Sequence, residues 1–134
     1  MTESIVNFAR EAAAFHDWAI HPLEKNEAVA RQALEHISGL YRAALFLPRS
    51  GAPDENAADR HHQVQEAERK SVHTACSRLP FHYYSEVCDP FESPPEEPAV
   101  GGLADDIADI YGDVITGLRM HEAANNPEML TLSR

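Results

Sequence analysis

The stretch from Leu103 to Ala124 constrains the fold most strongly, because it is the most sharply amphipathic segment of the chain. At about 100° per residue, its apolar side chains fall within roughly one third of a helix circumference. A separate arc of the same helix carries four aspartates. The apolar stripe consists of Leu103, Ile107, Ile110, Tyr111, Val114, Leu118 and His121, and the acidic arc of Asp105, Asp106, Asp109 and Asp113. This pattern predicts a helix over residues 103–124 with one face in the core.

Apolar periodicity predicts three further main helices, over residues 1–20, 24–46 and 59–79. The second of them has a stripe nearly as clean as that of the last helix, so we expect these two helices to be core partners. Its members are Ala30, Ala33, Leu34, Ile37, Leu40, Tyr41, Ala44 and Leu45. Turn-forming residues predict loops over 48–58 and 89–102, the second rich in Pro and Glu, and residues 125–134 form a predicted tail.

A chain of 134 residues is the size of one domain with one hydrophobic core. The sequence therefore predicts a single all-α domain over 1–134, built as an antiparallel bundle of about four main helices. Between the third and fourth helices, the segment from Phe81 to Phe91 concentrates aromatic side chains. We expect it to form a short helix or an aromatic loop packed on the bundle.

The net charge of −11 narrows the class of partner. Nucleic acids and anionic membranes are first bound through clustered Lys and Arg, so we expect neither as a partner and favour a basic protein. The longest apolar region, residues 37–47, is short and contains Arg42, so no segment is expected to span a bilayer. Two cysteines and no signal-peptide pattern indicate a cytoplasmic protein with free thiols, with one disulfide as the alternative.

Between Arg78 and Arg119 the chain has no Lys or Arg, although it has nine carboxylates there. One region of the surface must therefore be strongly negative. Such a surface serves solubility alone, or it docks a basic protein. The candidate interaction surface consists of Asp106, Asp109, Asp113, Glu92, Glu96, Glu97, Tyr83 and Tyr84.

Two sets of side chains are candidate metal ligands. Asp106, Asp109 and Asp113 share one side of the last helix, but di-metal bundles typically take Glu-x-x-His motifs, which this chain lacks. The alternative is a solvated face, or one paired with Arg42 or Arg49. The second set is His73, Cys76, His82 and Cys88. Its spacing is wider than in a zinc site built from two close doublets, so free cysteines acting as small buried hydrophobes are the competing interpretation.

No glycine-rich phosphate loop and no nucleophile elbow occurs, so we predict no catalytic residue and no cofactor. The sequence favours a non-enzymatic cytosolic interaction module that uses an acidic surface. One alternative is an immunity or antitoxin-like inhibitor of a basic partner, since electrostatic complementarity suits that role. A second alternative, of another class, is a metal-binding protein or metal-dependent enzyme that uses either of the two ligand sets.

Three segments resemble an uncharacterised bacterial family, domain of unknown function 5063. They are LYRAALFLP (40–48), YYSEVCDPF (83–91) and DDIADIYGDVITGL (105–118), of which the last is similar to the family's D-L-A-D-I-Y-x-D-L helix. The resemblance covers about residues 36–124 and implies a small cytoplasmic helical domain without an established activity. Relatives continue into a further helix bearing Trp and His, whereas this chain stops soon after Ala124. We therefore expect a homodimer in which a second copy covers part of the core.

Overall fold

A computed structural model of the protein describes residues 2–21, 27–49, 62–87, 89–94 and 97–125. It contains four helices and two short strands. In chain order they are α1 (Glu3–Ile20), α2 (Glu27–Leu45), α3 (Glu66–Cys76), β1 (Tyr83–Glu86), β2 (Ala99–Gly102) and α4 (Leu103–Asn125). The prediction of a mainly helical fold with four main helices is confirmed. Within these ranges, no helix combines the length and apolar composition needed to cross a membrane.

Helix α4 lies at the centre of the fold and packs on both α1 and α3. Its fully buried residues are Ile107, Ala108, Tyr111 and Ile115. The ring of Phe15 in α1 meets the Tyr111 ring edge-on, with 6.1 Å between the ring centres. Burying one large apolar side chain contributes roughly 1.5–3 kcal/mol. Because two helices flank α4, it also buries Ala108 and Ile115, which lie beside the predicted stripe.

Helix α2 packs on α1, and the prediction that α2 and α4 are core partners is wrong. Its buried residues are Val29, Ala33 and Leu40. By contrast, Leu34, Tyr41 and Leu45 are each about two-thirds exposed. These three point roughly 120° away from the buried row, given 100° per residue. Among the described elements α1 alone packs extensively on α2, and the wide apolar face expected from the sequence is half buried and half open.

Two contacts connect α1 and α2. The carboxylate of Glu11 in α1 lies over Gly39 in α2, where an added Cβ atom would be 2.6 Å from a carboxylate oxygen. At the other end of the pair, Trp18 stacks on His36 with 5.3 Å between ring centres, and its indole N–H donates to Gln32 at 3.1 Å. Trp18 therefore covers the contact between the two helices.

Helix α3 is shorter than the predicted span 59–79, of which residues 59–61 lie outside the described ranges. Residues 62–65 lead into the helix irregularly, and the backbone N–H of Val64 donates to the Thr116 hydroxyl at 3.0 Å. This bond fixes the approach to α3 against α4.

Strands β1 and β2 form an antiparallel ribbon in which Tyr83 pairs with Gly102 and Glu86 with Ala99. The prediction of a loop over 89–102 is therefore wrong at residues 99–102, and the helix or loop expected over 81–91 is partly a strand. Two glycines in β2 weaken its intrinsic strand preference, so pairing with β1 decides its conformation. Helix α4 follows β2 directly, with the Leu103 N–H donating to the carbonyl of His82 at 2.9 Å.

Candidate docking surface on the hairpin

The ribbon is attached to α4 through Tyr84, Gly101 and Asp106. The Tyr84 ring lies across Gly101, its partner on β2, where an added Cβ atom would come within 2.3 Å of the ring carbon Cζ. From there the Tyr84 hydroxyl donates to a carboxylate oxygen of Asp106 in α4. This hydrogen bond raises the pKa of Tyr84 to about 12. Tyr84 and Asp106, two residues of the predicted interaction surface, thus bond to each other.

Other aspartates of α4 are bonded to α3. The guanidinium of Arg69 donates to Asp109, with 3.1 Å between Nε and Oδ1, and His73 Nε2 lies 2.9 Å from Oδ1 of Asp105. The expected partners Arg42 and Arg49 are not the cations used; Arg69 is. Within the described residues, Asp113 alone of the four aspartates has no hydrogen-bond or ionic partner, and it is exposed to solvent.

A polar cluster between α3 and α4 was not predicted. Glu68 accepts hydrogen bonds from both terminal nitrogens of Arg119, at 2.7 and 3.0 Å, and from the hydroxyl of Tyr111. The bonds from Arg119 lower the pKa of Glu68 despite the opposing effect of burial. Burial and the bond to Glu68 raise the pKa of Tyr111. Only Tyr111 has a sequence signal, because it sits in the apolar stripe; Glu68 and Arg119 are charged residues far apart in the chain.

The geometry disfavours both proposed metal-ligand sets. Among the residues with described positions, no three His, Cys, Asp or Glu side chains converge as metal ligands would. Asp106 and Asp109 bond to separate partners, as described above. Cys76 is buried in the core as a free thiol, and burial raises its pKa to about 11, which opposes formation of the thiolate that binds zinc. Cys88, the fourth member of the zinc set, lies outside the described residues.

The surface left open by these contacts is the hairpin segment, defined as residues 81–102 apart from 88, 95 and 96. Tyr83 is 75% exposed on β1, and Phe91 is 93% exposed in the connection between the strands. Successive strand residues alternate between faces, so Tyr83 shares a face with Val100 while Tyr84 lies on the other, toward α4. Val87 and Phe81 are exposed as well. An apolar surface of this size on a small ribbon is unusual unless something binds it.

Carboxylates surround this apolar surface. Glu86, Glu92 and Glu97 are exposed, and none of the three has an ion-pair partner among the described residues. Asp89 accepts a hydrogen bond from the N–H of Phe91 at 2.9 Å, which shapes the turn. Glu96, which was also predicted for the surface, lies outside the described residues. The hairpin segment therefore carries three exposed carboxylates that no cation among the described residues neutralises.

The ribbon also has open edges. In the described chain the sheet has only two strands, and β2 is the sole element that packs closely on β1. The outer edge of β1 therefore has backbone N–H and C=O groups that no other strand among the described residues pairs with. Such an edge is a template for a further strand.

Comparison with known proteins identifies one family. The sequence model of the family described as domain of unknown function (DUF5063) matches residues 1–132, a wider span than the three resembling segments. Searches of curated proteins and of solved structures find no match.

Proposed function

This chain belongs to the DUF5063 family, to which no activity is attached, and we propose that it is a cytoplasmic interaction module whose hairpin segment binds an extended, basic stretch of another protein. The observation that carries the proposal is the open edge of β1 beside exposed Tyr83 and unpaired carboxylates. Addition of a strand to a sheet edge is a common mode of peptide recognition, in which backbone bonds supply affinity and side chains supply specificity.

The ribbon gains from such a partner. Two-stranded sheets are marginally stable in water, and a third strand supplies further backbone hydrogen bonds. The connection through Tyr84, Gly101 and Asp106 holds the ribbon against α4 before binding. A pre-positioned surface loses less conformational entropy when a partner binds, which favours affinity.

Charge selects the partner. Glu86, Glu92 and Glu97 attract a segment that carries Lys or Arg, and they repel the equally acidic hairpin of a second copy. The alternating faces of β1 suit a partner in which apolar residues alternate with basic ones, since every second side chain would meet Tyr83 and its neighbours. A toxin inhibitor that masks a basic surface is one member of this class of function.

Cytoplasmic location is part of the proposal. Cys76 is a free thiol enclosed by the core, as is usual in a reducing compartment.

The direct test uses two synthetic peptides, one alternating Lys with Val and one alternating Glu with Val, added to the isotope-labelled full chain. We expect the basic peptide alone to shift the NMR signals of residues 83–86 and to slow exchange of their amide protons. Binding should weaken as salt is added, because exposed charges are screened. Equal binding of both peptides, or signal changes confined to the helices, would refute the proposal.

Matched variants locate the surface. The double variant Glu86→Lys, Glu92→Lys removes two carboxylates from the hairpin segment, and Glu3→Lys, Asp113→Lys makes the same charge change elsewhere. The hairpin double variant should no longer bind the basic peptide, and the control double variant should bind it as the wild type does. If the second pair also abolishes binding, net charge rather than the hairpin is responsible.

A further inference from the structure

The exposed apolar residues of α2 form a second, separate surface. Leu34, Tyr41 and Leu45 lie on one side of the helix together with Ser38, and we call these four residues the α2 stripe. Each of the three apolar members is about two-thirds exposed, and of the described elements α1 alone packs extensively on α2. On a helix already held by one neighbour, such a stripe marks a contact with another chain.

The spacing of the stripe is that of a two-helix seam. From Leu34 the steps are four, three and four residues, to Ser38, Tyr41 and Leu45. Alternating steps of three and four keep side chains facing one partner helix and fit the knobs of each helix into holes of the other. The partner of such a seam is another helix, which distinguishes it from the strand edge of the hairpin segment.

The charges beside the stripe identify that helix. At 100° per residue, Glu35 and Arg42 flank the stripe on one side, and Ile37 and Ala44 flank it on the other. When two copies of α2 lie antiparallel, with Leu34 beside Leu45 of the other copy, Glu35 of each copy lies near Arg42 of the other. The attraction then occurs twice by symmetry. In a parallel pair this flank would instead meet apolar positions such as Ile37, with no ionic gain.

We propose that a second copy of this chain is the occupant, and that the protein is a two-fold symmetric dimer joined by antiparallel packing of its α2 stripes. A surface that complements itself in shape and in charge is the requirement for such symmetry. The stripe and the hairpin segment involve different elements, so a dimer can present two hairpins to partners. The proposal is independent of the one made for the hairpin.

Sedimentation and light scattering on the full chain give the first test. We expect dimer at tens of micromolar, and monomer for the variant Leu34→Glu, Tyr41→Glu, which changes only exposed side chains. The control Tyr83→Glu, Val100→Glu places the same charges on the hairpin segment and should remain dimeric. A monomeric wild type at millimolar concentration, or a dimer lost equally in the control, would overturn the proposal.

Charge reversal tests the antiparallel arrangement. Glu35→Arg and Arg42→Glu should each weaken the dimer, by roughly tenfold in Kd, since two attractive exposed pairs become repulsive. An equimolar mixture of these two variants should form a heterodimer, because every facing pair is again of opposite charge. The doubly reversed variant Glu35→Arg, Arg42→Glu should regain the wild-type Kd. Failure of both the mixture and the double variant to restore association would exclude this packing.

Discussion

Helices α2 and α4 carry apolar stripes of similar length, but only the α4 stripe is buried or partly buried at every position, whereas half of the α2 stripe is exposed. Helix α4 is packed between α1 and α3, whereas α2 packs on one described helix, α1. Their acidic residues differ as well. On α4, Asp105, Asp106 and Asp109 bond to side chains of other elements, while the one ion pair of Glu35 on α2 among the described residues is with Arg31 of its own helix.

The comparison shows what an amphipathic pattern does and does not specify. Periodicity identifies a face that avoids water, but it does not say whether the covering surface belongs to the same chain. Likewise, an acidic arc can be a docking surface or a set of internal bonds. On α4, three of the four aspartates of the arc bond to side chains of the same chain. The acidic region of the sequence therefore consists of a bonded part on α4 and an unpaired part on the hairpin segment.

The largest expected contrast is between two tyrosines. Tyr111→Ala empties a fully buried site in α4 and should lower the free energy of unfolding by about 3–5 kcal/mol, as for other buried aromatic residues. Tyr41→Ala, on exposed α2, should change it by at most about 0.5 kcal/mol. Urea denaturation measures both changes in the free energy of unfolding, at protein concentrations below the Kd of the proposed dimer. Similar losses would mean that the α2 stripe is buried within the monomer.

The next contrast is in the dependence of stability on pH. In the folded protein the bonds from Arg119 hold the pKa of Glu68 below its ordinary value of 4.5. The resulting stabilisation is complete above that ordinary value and is lost as pH falls through the lowered pKa. Glu68→Gln should therefore be less stable than wild type at pH 7, and the difference should shrink toward pH 3. The exposed control Glu35→Gln should keep the wild-type profile in urea melts at each pH.

A smaller effect concerns the attachment of the hairpin to α4. Asp106→Asn replaces the charged carboxylate that raises the pKa of Tyr84 to about 12 with a neutral amide, whose oxygen is a weaker acceptor, so that phenol should titrate closer to its ordinary value of 10. Gly101→Ala should act similarly, because the new Cβ displaces the Tyr84 ring. NMR of labelled tyrosine follows the titration. If Asp113→Asn, which removes no described bond, lowers the pKa as much, general charge rather than this contact is the cause.

The smallest expected difference is between two aspartates of α4. Asp109→Asn breaks the exposed ion pair with Arg69 and should lower the melting temperature slightly, since such pairs contribute little. Asp113→Asn breaks no described contact and should leave the melting temperature unchanged. Calorimetry at low salt measures the difference. A larger loss for Asp113→Asn would show that the open aspartate has a structural role.

Much of the helical core could be predicted because it depends on local periodicity. Ile107 and Tyr111 follow from the spacing of the α4 stripe alone. The hairpin could not be predicted in this way. The sequence of β2, AVGG, has little intrinsic strand preference, and its conformation depends on pairing with β1. The bonding partners of Glu68 and Asp109 could not be predicted either, because Arg119 is 51 positions from Glu68 and Arg69 is 40 positions from Asp109 in the sequence.

The candidate site was predicted in part. Tyr83, Glu92 and Glu97 lie on the open hairpin segment, as part of the surface proposed for docking. Tyr84, Asp106 and Asp109 were assigned to that surface from charge and residue type alone. In the structure, their hydroxyl and carboxylate groups bond to other side chains of the same chain. The charge pattern of a sequence shows how many carboxylates a region contains. It cannot show which of them already accept hydrogen bonds from other side chains of the folded chain.

Trp18 makes one region of this protein optically visible. It is the sole tryptophan of the chain, and it lies between Phe15 and His36 over the contact of α1 with α2. Its emission therefore reports on that contact. Circular dichroism, in contrast, averages over all four helices. If α2 separates from α1 before the α3–α4 pair melts, the fluorescence transition will come at a lower urea concentration than the dichroism transition.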